Sequence, residues 1–123
     1  MQVSQDSFED MVRAAVSTVP DKFLSKLENV SIIVADRPTR EQMIENNLGP
    51  RDSLYGLYEG VPLPERGNFV PPLPDLITIF QEPIENACSS IEELEQQVRD
   101  TVIHEVAHYF GFSDTELQKL GLG

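Results

Sequence analysis

The stretch TVIHEVAHYFGFSD, residues 101 to 114, contains both histidines of the chain, His104 and His108, with Glu105 beside the first. On a helix turning roughly 100° per residue, imidazoles four positions apart differ by about 40° in direction and about 6 Å along the axis, so both reach one point. Two neutral imidazoles at this HExxH spacing can hold a divalent metal while the glutamate faces a water on the ion. Glu105 itself falls near the phase of Val98, Val102 and Tyr109, a poor place for an unpaired carboxylate. A cation would compensate it. Gly111 reads as a helix stop, because glycine tolerates the left-handed conformation that turns a chain back. That turn can swing Asp114 toward the ion as a third protein ligand, leaving the fourth position open to water as in a catalytic site. The plainer readings are a histidine satisfied within the core, and Asp114 as N-cap of the TELQKL segment after it.

These residues need a helix to position them. Ile91, Leu94, Val98, Val102, Val106 and Tyr109 are spaced by three or four and predict one from about 91 to 110, capped by Ser89 or Ser90, with Glu92, Glu93 and Glu95 near the positive end of its dipole. Ile103, Ala107 and Phe110 lie on the opposite side, so the last turns look apolar almost all round, as in a helix buried on several sides. At the other end of the chain, Phe8, Met11, Val12, Ala15, Val16 and Val19 form the stripe of a first helix, opened by Ser7 with Asp10 as a capping box and closed by Pro20.

Between the helices the pattern predicts shorter elements. PDKFLSKLENV adds a turn of helix, and VSIIV, residues 30 to 34, is a β-branched run suited to a buried strand. TREQMIENN reads as a short helix with Thr39 and Gln42 as its capping pair and Asn47 as its end. SLYGLYEG, residues 53 to 60, alternates as a strand weakened or bulged at Gly56. Pro62, Pro64, Pro71, Pro72 and Pro74 then remove amide donors, which makes regular structure improbable and leaves a cleft wall or a plain connector. A further strand runs from Leu76 to Phe80 and stops near Pro83.

The length of 123 residues fits one domain over 1–123. Nine Lys and Arg against 21 Asp and Glu give a net charge of -12, which repels phosphate backbones and anionic membranes and argues against both as partners. No apolar run approaches the roughly 18 residues of a membrane span, and MQVSQDSFED lacks the basic and apolar regions of a secretory signal. The single cysteine, Cys88, suits a reducing compartment, so a cytoplasmic protein is expected. Nothing in the composition selects an oligomeric state.

His104, Glu105, His108, Gly111 and Asp114 spell HExxHxxGxxD, which resembles the zincin metallopeptidases in their metzincin-like form, with Asp in place of the third His. LYGLYEGVPL, LITIFQEPI and TVIHEVAHYFGFSD, in this order, resemble the minimal zincin family of small single-domain bacterial proteins, over most of the chain from FEDMVRAAVSTVP onward. The resemblance implies an α+β fold in which a small mixed sheet packs against an N-terminal helix and a C-terminal metal-binding helix. It further implies Zn²⁺ held by His104, His108 and Asp114, Glu105 as general base, and a peptide or protein substrate. The chain departs from secreted metzincins in having no methionine after Met43, hence no methionine-containing turn beneath the metal.

Tyr55, Tyr58 and Tyr109 are conceivable oxyanion donors. A substrate could add as a strand along 54 to 58 or 76 to 80. Two rivals stand beside the hydrolase reading. One is a metal-binding or peptide-binding protein without turnover; the other is a metal-dependent ribonuclease, against which the glutamate and the negative charge both count.

Overall fold

Leu94, Val98, Val102, Val106 and Tyr109, the expected inward face of the last long helix, are all buried, and so are Phe8, Val12 and Ala15 of the first. The computed structural model describes residues 1–27, 29–67, 74–113, 115 and 116. In chain order these form α1 (Gln5–Ser17), α2 (Asp21–Leu24), β1 (Val30–Ala35), α3 (Arg40–Glu45), β2 (Gly56–Glu59), α4 (Leu63–Arg66), β3 (Asp75–Phe80), α5 (Gln81–Ala87) and α6 (Ile91–Tyr109). The class is α+β. The sheet has the order β1-β3-β2, with β1 parallel to β3 and β2 antiparallel to it. Helix α6 packs against α1 and against β2 and β3. Ile77 and Ile79 of β3 and Ile84 of α5 complete the core, which leaves β2 lying beside the C-terminal half of α6.

The helix ends follow local chemistry. Ser90 caps α6, its hydroxyl accepting from the Glu93 amide at 3.2 Å, while the Glu93 carboxylate accepts from the Ser89 amide at 2.9 Å and hydroxyl at 2.7 Å. Those bonds, the Ser89 hydroxyl's first, hold the Glu93 carboxyl below its ordinary range. Both halves of the capping box on α3 form, Gln42 amide to Thr39 hydroxyl at 3.1 Å and Thr39 amide to Gln42 carboxamide at 2.9 Å. Asn47 then takes a left-handed φ of 60°, and the Leu48 amide reaches Met43 carbonyl at 2.9 Å, so the helix closes in a Schellman turn.

Several expectations are corrected. Ser4 caps α1 in place of Ser7, its hydroxyl accepting from the Ser7 amide, so the helix starts a turn earlier because the apolar stripe alone does not mark the cap. β1 is an edge strand with Ser31 and Ile33 exposed, not a fully buried one. The proline-rich segment contains the one-turn helix α4, with Pro64 in its first turn, where a missing amide costs nothing. For the same reason Pro83 does not end β3 in a loop; the strand passes directly into α5, whose first turn holds that proline. Residues 68–73 of the segment lie outside the described residues. Cys88 is buried without a disulfide partner, and burial pushes its thiol above the usual pKa. Among the described residues no helix is long and apolar enough to cross a membrane.

Candidate metal centre

His104, Glu105 and His108 each offer a ligand atom, and these atoms lie within 4.8 Å of one another. The two imidazole rings have centroids 4.5 Å apart and planes at 75°, the crossing that successive turns of α6 impose. Glu105 is 5% exposed, as its helical phase requires, and one carboxylate oxygen stands 3.2 Å from His108 Nδ1. Two nitrogen donors and an oxygen donor converging at the edge of the core suit a divalent first-row ion. Asp114, the expected third ligand, lies outside the described residues.

The turn that follows is built as the sequence indicates. Gly111 adopts φ 88°; its amide bonds His108 carbonyl at 2.9 Å and the Phe112 amide bonds Ala107 carbonyl at 3.0 Å, a Schellman closure. A second constraint is not legible in the motif. A Cβ on Gly111 would stand 2.8 Å from Pro64 Cγ, so the chain after the metal helix rests directly on α4.

Two clefts border the histidines. The one beside His104 has a volume of about 470 Å³ and is lined by Tyr55 and Gly56 on one side and by Gln97, Asp100 and Ile103 on the other. Ile103 thus faces a cleft. The second, about 360 Å³, opens beside His108 among Tyr58, Pro62, Pro64 and Phe112.

Strand β2 passes both. Its register with β3 has no bulge at Gly56, which pairs with Ile79. The glycine serves a close approach instead: a Cβ there would meet Thr101 Cγ2 at 2.7 Å and Glu105 Cγ at 3.0 Å. Because Tyr55, opposite Phe80, accepts that residue's amide at 2.8 Å, the alternation of an antiparallel ladder points the backbone groups of Gly56 and Tyr58 away from β3, to the edge that is open among the described residues. β3 is paired on both sides. The alternative docking edge at 76 to 80 is thereby removed, since its backbone groups are already spent on β1 and β2.

Behind the site lies a group that no sequence motif singles out. Asp75 is 2% exposed and Arg66 is 8% exposed; Arg66 Nη2 and the Tyr58 hydroxyl both donate to Asp75 Oδ2, and Arg66 Nε donates to Val61 carbonyl at 2.8 Å. The guanidinium also lies 5.1 Å from the Tyr109 ring centre. Burial works against the Arg66 charge, but the Asp75 carboxylate together with Tyr109 and Tyr58 outweighs it and raises the guanidinium pKa. Burial, and then the adjoining Asp75, push the Tyr58 phenol above its ordinary value. The signal is present as an acid at the head of an apolar run and an arginine among prolines, but nothing in their spacing pairs them. Of the three tyrosines named as oxyanion donors, Tyr58 is bonded to Asp75 and Tyr109 donates to Lys26 carbonyl at 3.1 Å with its ring fully buried. Only Tyr55 remains on the His104 cleft.

The chain belongs to the zincin-like metallopeptidase family, whose model matches residues 27–123. That membership carries a metallopeptidase-like function and implies a metal ion, and His104, Glu105 and His108 form a cluster of groups that could hold one. A solved structure with the same fold is a conserved hypothetical protein from Thermus thermophilus, with a TM-score of 0.56 and 17% identity over 96% of this chain and 97% of that one. No curated protein sequence matches the chain significantly.

Proposed function

We propose that the chain is a zinc-dependent peptidase in which His104, His108 and Asp114 hold the ion and Glu105 is the general base. Zinc bound there would supply Lewis acidity, acidifying water and polarising the scissile carbonyl. Glu105 takes the proton of the attacking water and returns it to the leaving amine. The open edge of β2 binds the peptide backbone through Gly56 and Tyr58, and Tyr55, which lines the His104 cleft, is the candidate donor to the developing oxyanion. The observation that carries this reading is the convergence of three ligand atoms within 4.8 Å on the helix face next to a strand edge that is unpaired among the described residues. The lone buried thiol and the net charge of -12 support a cytoplasmic location and a partner that is neither nucleic acid nor membrane.

Elemental analysis of the purified protein should find about one zinc per chain. Glu105→Gln should keep the zinc and lower peptide hydrolysis by about 10²–10⁴-fold. Undiminished turnover in that variant overturns the assigned base. A second reading is a zinc-binding or peptide-binding protein without turnover, in which the Glu105 carboxylate serves only to hold His108, 3.2 Å away. It predicts peptide binding to the zinc-loaded wild type with no release of new amino termini.

A further inference from the structure

We propose that α4 is a clamp on the metal-binding end of α6, with Pro64 as the positioning residue that keeps His108 in a fully formed helical turn. The inference rests on the reading of His104 and His108 as metal ligands, and it adds a residue that touches neither the ion nor the substrate. His108 is the next-to-last residue of α6, and helix ends open more readily than helix interiors. An imidazole on a turn that opens spends part of its time away from the ion, which weakens binding in proportion to that fraction. The core holds one side of the turn through the buried Tyr109. The other side continues into Gly111, Phe112 and Ser113, which are all exposed. The bonds that close it, Gly111 amide to His108 carbonyl and Phe112 amide to Ala107 carbonyl, are local and open together with the turn.

α4 touches α6 on both sides of His108's turn. Pro64 lies against Gly111, and Arg66 places its guanidinium over the ring of Tyr109. A helix of four residues could not brace anything by its own stability. α4 is fixed from outside: Arg66 donates to the Val61 carbonyl at 2.8 Å and to the Asp75 carboxylate, and both partners of that ion pair are buried. The same carboxylate packs directly on Gly60, at the start of the segment that leads to α4, while the rings of Pro62 and Pro64 fix φ at the cap and in the first turn. The end of the metal helix is thus braced from the head of β3 through a buried ion pair and a proline ring.

The test measures zinc affinity by competition with a chelating indicator, and amide hydrogen exchange in the zinc-free protein. Pro64→Ala removes the two ring carbons nearest Gly111. It should weaken zinc binding about tenfold, the lower end of what loss of a supporting partner costs a metal site. It should also remove protection from the Phe110, Gly111 and Phe112 amides and leave Val98 and Val102 protected. The melting temperature of the zinc-free protein should fall by a few degrees at most, so the lost affinity is not lost folding. Gly111→Ala acts on the same contact from the other side, with its methyl 2.8 Å from Pro64 Cγ and 3.2 Å from Cδ but 3.8 Å from Cβ, the carbon an alanine at 64 retains. Adding Pro64→Ala to Gly111→Ala should therefore tighten zinc binding, although the same change weakens it in the parent. Recovery is partial, because the φ of 88° at residue 111 still strains an alanine. Zinc affinity and exchange unchanged by Pro64→Ala, or losses that simply add in the double variant, overturn the clamp. Failure of the metal reading looks different: the wild type then takes up no zinc, and the exchange of the three amides still decides whether Pro64 holds the turn.

Discussion

Glu105 and Asp75 are both buried carboxylates on the helix side of the sheet, and they are buried differently. Asp75 is enclosed by an arginine, a tyrosine hydroxyl and, at 3.5 Å, the Val61 amide; each is a donor, so the charge is compensated by the protein itself. Glu105 instead meets a histidine of its own helix, and its carboxylate abuts a cleft between α6 and β2. The difference teaches how burial can close one carboxylate within the structure and leave another open to the proton transfer proposed for it. A charge already satisfied by fixed donors holds loops together, whereas one that looks to a titratable partner or an ion is available for proton transfer.

The comparison can be broken most severely by exchanging each carboxylate for its amide. Glu105→Gln should remove turnover, by about 10²–10⁴-fold, with little change in melting temperature. Asp75→Asn leaves Arg66 charged and buried without its counter-ion, and should cost about 3–5 kcal/mol in denaturant unfolding while zinc remains bound to the folded fraction. A Glu105→Gln protein that unfolds as readily as Asp75→Asn would erase the distinction. A smaller effect is expected at Gly56. Gly56→Ala puts a methyl 2.7 Å from Thr101 Cγ2 and 3.0 Å from Glu105 Cγ, which should cost about 1–3 kcal/mol and lower kcat by displacing the base. Adding Thr101→Ser removes the closer methyl and should recover part of both losses; no recovery would place the strain elsewhere.

The mildest test is alkaline titration. The Tyr58 phenol is raised in the folded protein, by burial first and by Asp75 next, so the unfolded chain releases this proton at lower pH than the native one does. Its contribution to stability is full below the ordinary tyrosine pKa of about 10 and declines as pH rises beyond it. The melting temperature of wild type should therefore fall more between pH 9 and pH 11, about one unit on each side of that value, than that of Tyr58→Phe. Parallel curves would show that folding does not raise the Tyr58 phenol.

Local chemistry makes part of the molecule legible. Thr39 and Gln42 announce a capping box because both partners lie within one turn, Asn47 and Gly111 mark helix ends because few residues accept positive φ, and the stripe from Leu94 to Tyr109 orients α6 because its period matches the helix. The pairing of His104 with His108, and the inward phase of Glu105, follow from the same arithmetic. The helices begun around Pro64 and Pro83 escape such a reading because a proline in a first turn and a proline in a loop look alike without their neighbours. The cap at Ser4 escapes it because Ser7, within the helix, offers the same hydroxyl.

What the sequence by itself determined are properties contained within a few turns of one element: the histidine spacing, the buried phase of the glutamate, the closing glycine and the family that their order identifies. Tertiary structure alone decided that β2 and not β3 has the open edge, that Gly56 is a contact and not a bulge, and that Arg66 finds Asp75 across nine residues. Helical periodicity is a repeating local rule, so it can be read along the chain. Strand order and the meeting of distant charges depend on which surfaces exclude water together, and that is settled only when the whole chain has packed.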